Sequence, residues 1–270
     1  MALEYITDNM ARNGVINTGL IDITGKHRRI NDDTNIGLLV NAPNSHVVID
    51  KLSLEQVWKG FEFRAAKSIT VKEIAIEEFY NDGGHILSSN VEIGRVLSVS
   101  TILKPYSNRN HSDHIQIFNH VTGKVENISI NEIEFYSRNH KQQANLHFTE
   151  NHIYNMIFIG KYKFVVNSDP RKTYPYALSA TNLRNSIIGG SKVDIGDLKI
   201  RVRDVKNSGI ISPNNRFVGI DSKVIESAPT FRYSVQRTYP TNFKKKLYED
   251  PIVTDELIYR QAMLAMQQKW

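Results

Sequence analysis

The chain has 270 residues, 34 Lys and Arg against 28 Asp and Glu, and no cysteine. The missing cysteine excludes disulfides, thiolate metal sites, a cysteine nucleophile and iron–sulfur clusters. A formal charge of +6 is below the density of a dedicated nucleic-acid binder, and 40% apolar residues mark a folded chain.

No apolar run approaches the length of a membrane span, and the first eight residues lack the basic and apolar regions of a signal peptide. The expected setting is therefore neither a membrane nor a secretory route. Thirty-one Ile, 20 Val and 25 Asn point to many short strands joined by turns.

Residues 1–35 are polar and Asn-rich and read as an extended N-terminal arm or edge strand. They contain one alternating piece at residues 20–24 and a basic cluster, Lys26, Arg28 and Arg29. Residues 36–40 and 47–49 predict two strands joined by a turn at Asn41, Ala42, Pro43 and Asn44. Residues 52–59 predict a short helix capped by Ser53.

Residues 60–103 carry the clearest alternation of apolar and polar positions, including Ile69, Val71, Ile74 and Ile76, then Val91, Ile93 and Val96. A helix is the rival reading for residues 71–80, but β-branched content and the Asn81-Asp82-Gly83-Gly84 turn favour a strand. Period two with one polar face predicts a half-buried antiparallel sheet.

Further short strands are expected at 115–118, 125–130, 133–136, 146–148, 153–166, 193–195, 198–205, 217–220 and 231–235. No internal repeat of 20–50 residues stands out. Asp250-Pro251 ends this region. Residues 250–270 predict a C-terminal helix, with Tyr259, Met263, Met266 and Trp270 along one face. The expected class is mainly β, an antiparallel sandwich flanked by that arm and helix. Its units are 1–35, 36–168, a second β region or completion of the sandwich at 169–249, and 250–270.

Candidate sites are few. His111, Asp113 and His114, with His120 nearby, suggest a divalent metal, but the two His at i, i+3 point to opposite sides of a strand, which favours a solvated loop. Asp194, Asp197 and Lys199 resemble part of a metal-dependent nuclease site, without the further acidic ligands such a site needs. Lys199, Arg201 and Arg203 fall on one side of a strand; they could touch phosphates, or keep an edge strand soluble, the reading we favour. Lys244, Lys245 and Lys246 form a second basic run. The helix stripe ending at Trp270 could pack internally or dock in a partner's groove. No phosphate loop, nucleophile elbow or zinc-protease motif occurs, and no metal or cofactor is expected.

Gly60, Phe61 and Phe63, then Ile69, Val71, Ile74 and Ile76, then Asp82-Gly83-Gly84, Leu87, Val91 and Ile93, are similar to the opening of galactose-binding-like, jelly-roll modules. Asn145, Leu146, Phe148, Asn151, Tyr162, Phe164 and Val165 resemble their closing strands. The likeness spans residues 58–166 and implies a jelly-roll fold; no ligand residue is carried over.

The absence of cysteine, the Asn-rich strands, the polar arm and the terminal helix resemble virion components of tailed bacteriophages. That resemblance implies a non-enzymatic structural role in a neck, tail, baseplate or decoration protein. Its partners would be other structural proteins and further copies of the chain, and any nucleic-acid contact would not be sequence-specific. The alternatives are a carbohydrate- or cell-surface-binding module using aromatics such as Tyr106 and Tyr136, and the nuclease.

Overall fold

The computed structural model describes residues 3–25, 36–100, 113–118, 125–137, 144–149, 153–166, 176–181, 183–184, 187–189, 192–194, 199–211 and 217–227. The strands are β1 (Glu4–Thr7), β2 (Val15–Thr24), β3 (Ile36–Val57), β4 (Lys59–Phe79), β5 (Gly84–Ile86), β6 (Val91–Ser100), β7 (Ile115–Phe118) and β8 (Val125–Ser137). They continue as β9 (Ala144–Thr149), β10 (Ile153–Val166), β11 (Tyr176–Thr181), β12 (Leu183–Arg184), β13 (Ile187–Gly189), β14 (Lys192–Asp194), β15 (Lys199–Ile211) and β16 (Phe217–Ser227).

All of these strands join one sheet, and nearly every pairing is parallel. Its long strands bend at corners, so one strand serves two or three faces. Leu38 pairs with Phe61, Phe61 with Gly84, and Gly84 with Ile115. On a second face Ile16 pairs with Val47, then Ile69, Val91 and Ile128. On a third, Ile23 pairs with Leu54, then Ile76, Ser98 and Phe135. Successive passes of the chain therefore stack in register as coils of a parallel β-solenoid.

The core is the inside of this coil. Ile16, Val47, Ile69, Val91 and Ile128 form one buried column; Leu52, Ile74, Val96 and Ile133 form another. Each such side chain contributes about 1.5–3 kcal/mol by leaving water. β-Branched residues suit this role because their restricted rotamers stack well on a pleated surface.

Corners need backbone that few residues adopt. Gln56 and Glu78, on adjacent coils, have φ of 52° and 56°; Asn90 and Asn127 have 58° and 59°. The Asn127 side-chain amide donates to Asn90 Oδ1 at 2.8 Å, and the Asn90 side-chain amide donates to the Lys67 backbone carbonyl at 3.1 Å. Asparagine tolerates the left-handed region, and the side chains form a short ladder along the corner.

Glycine meets a different demand. Gly37, Gly60 and Gly83 lie one above the next, 23 positions apart, and a Cβ on Gly60 would come 1.8 Å from the Gly83 carbonyl oxygen.

Several expectations are corrected. The antiparallel jelly-roll sandwich is replaced by a parallel coil. Alternation reports that one side of a strand is buried, and it is silent on the direction of the neighbour. The 81–84 turn rounds a corner onto the next coil; it does not reverse the chain beside β4. Residues 52–59 are not helical: Leu52 and Leu54 pair with Ile74 and Ile76, and this neighbour overrides local propensity. Residues 71–80 are strand through Phe79.

The N-terminal segment is not an arm up to Thr24. β1 and β2 both pair with β3 and form the first coil. Asp8 fastens it, accepting hydrogen bonds from Ser45 Oγ at 2.6 Å and the Asn44 backbone N–H at 3.1 Å. The repeat that seemed absent is present. The expected C-terminal helix at 250–270 lies outside the described residues. Among the described residues, no helix is long and apolar enough to cross a membrane.

Candidate functional site

The densest set of titratable side chains among the described residues lies on the outer side of the first face. Phe61 and Phe63 of β4 point into the core, so Glu62 points outward. The register places His85 of β5 directly beneath Glu62. Asp82 sits in the corner preceding β5, three residues before His85. All three are buried.

His85 Nε2 donates to Asp82 Oδ2 at 2.9 Å, and its Nδ1 faces Glu62 Oε2 at 3.8 Å. Arg64 Nε donates to Glu62 Oε1 at 2.8 Å, and Lys59 Nζ stands 3.6 Å from Glu62 Oε2. Asp82 Oδ1 accepts from the Asp113 backbone N–H at 2.9 Å. The Phe118 ring meets the His85 ring edge-on at 4.9 Å.

The charges are matched to this geometry. Burial alone would raise the Glu62 carboxyl, but His85, Arg64 and Lys59 outweigh it and hold it down at about 2. Burial alone would lower the His85 imidazole, but the hydrogen bond to Asp82 and the facing Glu62 carboxylate raise it above its usual 6.5. The geometry thus places the His85 ring between the Asp82 and Glu62 carboxyl groups, an arrangement that favours the charged imidazole. Chemically it is a latch: it joins β4, the corner before β5 and the approach to β7. The Glu62 carboxylate is held ionised, so it is not poised to give up a proton at neutral pH.

Of the expected histidine cluster, Asp113 and His114 are described, and both are fully buried. They are not in a solvated loop. The His114 ring lies inside the coil, stacked on Phe135 at 4.5 Å and edge-on to Phe79 at 5.1 Å. Its Nδ1 shares a 2.6 Å hydrogen bond with Ser98 Oγ. Burial pushes it down to about 3, against the charge of Asp113, so it stays neutral. Among the described residues, no group of three His, Asp or Glu could hold a metal. His111 and His120 lie outside the described residues.

Lys199, Arg201 and Arg203 fall on β15, which has β11 on one side and β16, antiparallel, on the other. β15 is therefore not the edge strand expected. Asp194 is on β14, paired with Lys163 of β10, and Asp197 lies outside the described residues. The same holds for Lys26, Arg28, Arg29, Lys244, Lys245, Lys246, Tyr259, Met263, Met266, Trp270 and Tyr106. Tyr136 lies in β8, in register with Val99.

Sequence reasoning missed Glu62, Asp82 and His85 as a group. The signal was the 23-residue step from Glu62 to His85, which only the repeat reveals. No protein-family model, no curated protein and no solved structure matches the chain.

Proposed function

We propose that the chain is a non-enzymatic structural part of a large assembly, with a tailed-phage virion as the setting. One observation carries the reading. A continuous column of stacked core residues forms a stiff body, while the described large apolar side chains left exposed, Leu3, Tyr5, Met10 and Leu20, all sit on the first coil. A stiff body with apolar groups gathered at one end suits a part that is joined to others. The virion setting rests on the compositional likeness given above. Its partners would then be other structural proteins of the particle, and its location the virion.

Mass spectrometry of phage particles purified from cultures that produce the chain tests this. The chain is expected at a fixed ratio to the major capsid protein. Recovery only in the particle-free fraction would contradict it.

A further inference from the structure

We propose that β2 pairs antiparallel with β2 of a second copy, about a two-fold axis passing between Gly19 and Leu20. This inference stands on the first coil alone and does not depend on the virion reading.

Among the described strands β2 has one neighbour, β3, so a ten-residue strand borders the sheet. Edge strands are usually protected by lysine, proline or a bulge. β2 has no Lys, Arg or Pro, and its single charge is Asp22. Leu20, 61% exposed, projects from its middle.

The pattern of β2 is its own mirror image. Register with β3 puts Ile16, Thr18, Ile21 and Ile23 in the core-facing columns of Val47, Ile49, Leu52 and Leu54. Reflected about the point between Gly19 and Leu20, this set maps onto itself. Ile16 would face Ile23 of the partner subunit, and Thr18 would face Ile21 of the partner subunit. Core-facing side chains would thus continue core-facing columns across the join, which a register slip of one residue would destroy.

The outward positions match as well. Leu20 would face Gly19 of the partner subunit. No heavy atom lies within 4 Å of where a Cβ on Gly19 would be, so the leucine has room to cover bare backbone. Asn17 would face Asp22 of the partner subunit, so the two carboxylates are kept apart and each meets an amide. The columns alone mirror at this corner in β3 and β4 too; what points to a second copy is the outward match of Leu20 with Gly19 and of Asn17 with Asp22, which an isologous contact repeats twice.

Charge at position 17 tests both the pairing and its register. Asn17 is exposed, so its variants should melt with the wild type. By sedimentation equilibrium of the full chain we expect a dimer. Asn17→Asp would set like charges opposite each other twice and raise the dissociation constant by about tenfold; Asn17→Lys would lower it. Both effects should shrink at high salt. Because the chain has no native cysteine, mixing Asn17→Cys with Asp22→Cys chains under oxidation should give a heterodisulfide. A monomer at every concentration, an oligomer indifferent to the charge at 17, or no heterodisulfide from a dimeric mixture would overturn the proposal.

Discussion

Glu62 and His85 were each readable as ordinary polar positions on alternating strands; what makes them a unit is that one lies a coil below the other. The consequence is a pH signature. His85 has a raised value in the folded chain, so its contribution is complete below about 6.5 and is lost as pH rises through the folded value. His85→Gln should therefore lower the urea midpoint most near pH 5–6, and the gap should narrow towards pH 9.

His114 acts in the opposite direction. It is neutral in the fold down to about 3, while the unfolded chain takes up its proton below about 6.5. Stability should fall as pH drops from about 6.5 towards 3, and His114→Phe should flatten that slope in a urea series. Glu62 adds a later loss, between about 4.5 and 2. His114 was singled out in the sequence for its imidazole, but its neighbours Phe79, Ser98 and Phe135 come from three different coils. No local pattern could reveal them.

Among the elements, corners and glycine contacts limit what the coil tolerates. Gly60→Ala would drive a methyl group into the Gly83 carbonyl, whose backbone atoms cannot swing aside as the end of a side chain could. It should cost about 2–4 kcal/mol in chemical denaturation, as backbone-level overpacking does. Asn127→Ala should cost about 1–2 kcal/mol, from left-handed strain and the lost bond to Asn90.

Strand positions such as 69–76 and 91–100 were legible from alternation. Residues 52–57 were not: Ser53 with Glu55 and Gln56 imitates a helix start, and only stacking on Ile74 and Ile76 decides for strand. The strand directions were illegible for the same reason, because a core-facing column looks identical whether its neighbour runs parallel or antiparallel.

Across the whole molecule, the repeat explains both the fold and why it was overlooked. Gly37, Gly60 and Gly83 are 23 apart, and Val47, Ile69 and Val91 are 22 apart. The next steps lengthen: Gly84 to Ile115 is 31, and Val91 to Ile128 is 37. Loops of unequal length between in-register strands erase a fixed period while leaving the stack intact.

Stability should also be graded along the stack. The first coil is covered on one side and exposes Leu3, Tyr5 and Leu20, whereas β4 is flanked by β3 and by β5 or β6. Amide hydrogen exchange should be fastest in β1 and slowest in β4 and β6. Uniform protection from β1 to β6 would speak against that gradient.

The parallel, in-register coil is the central claim, and two engineered disulfides test it most directly. The cysteine-free chain allows Thr70→Cys with Glu92→Cys, and separately Glu77→Cys with Val99→Cys, to be oxidised without competition. Both pairs join β4 to β6 with the same offset. A parallel pairing brings both together, so each double variant should form an intramolecular disulfide, seen by mass and by electrophoretic shift. In an antiparallel pairing the partner number falls as the strand number rises, so at most one pair can meet. One disulfide forming while the other fails, or neither forming, would contradict the account.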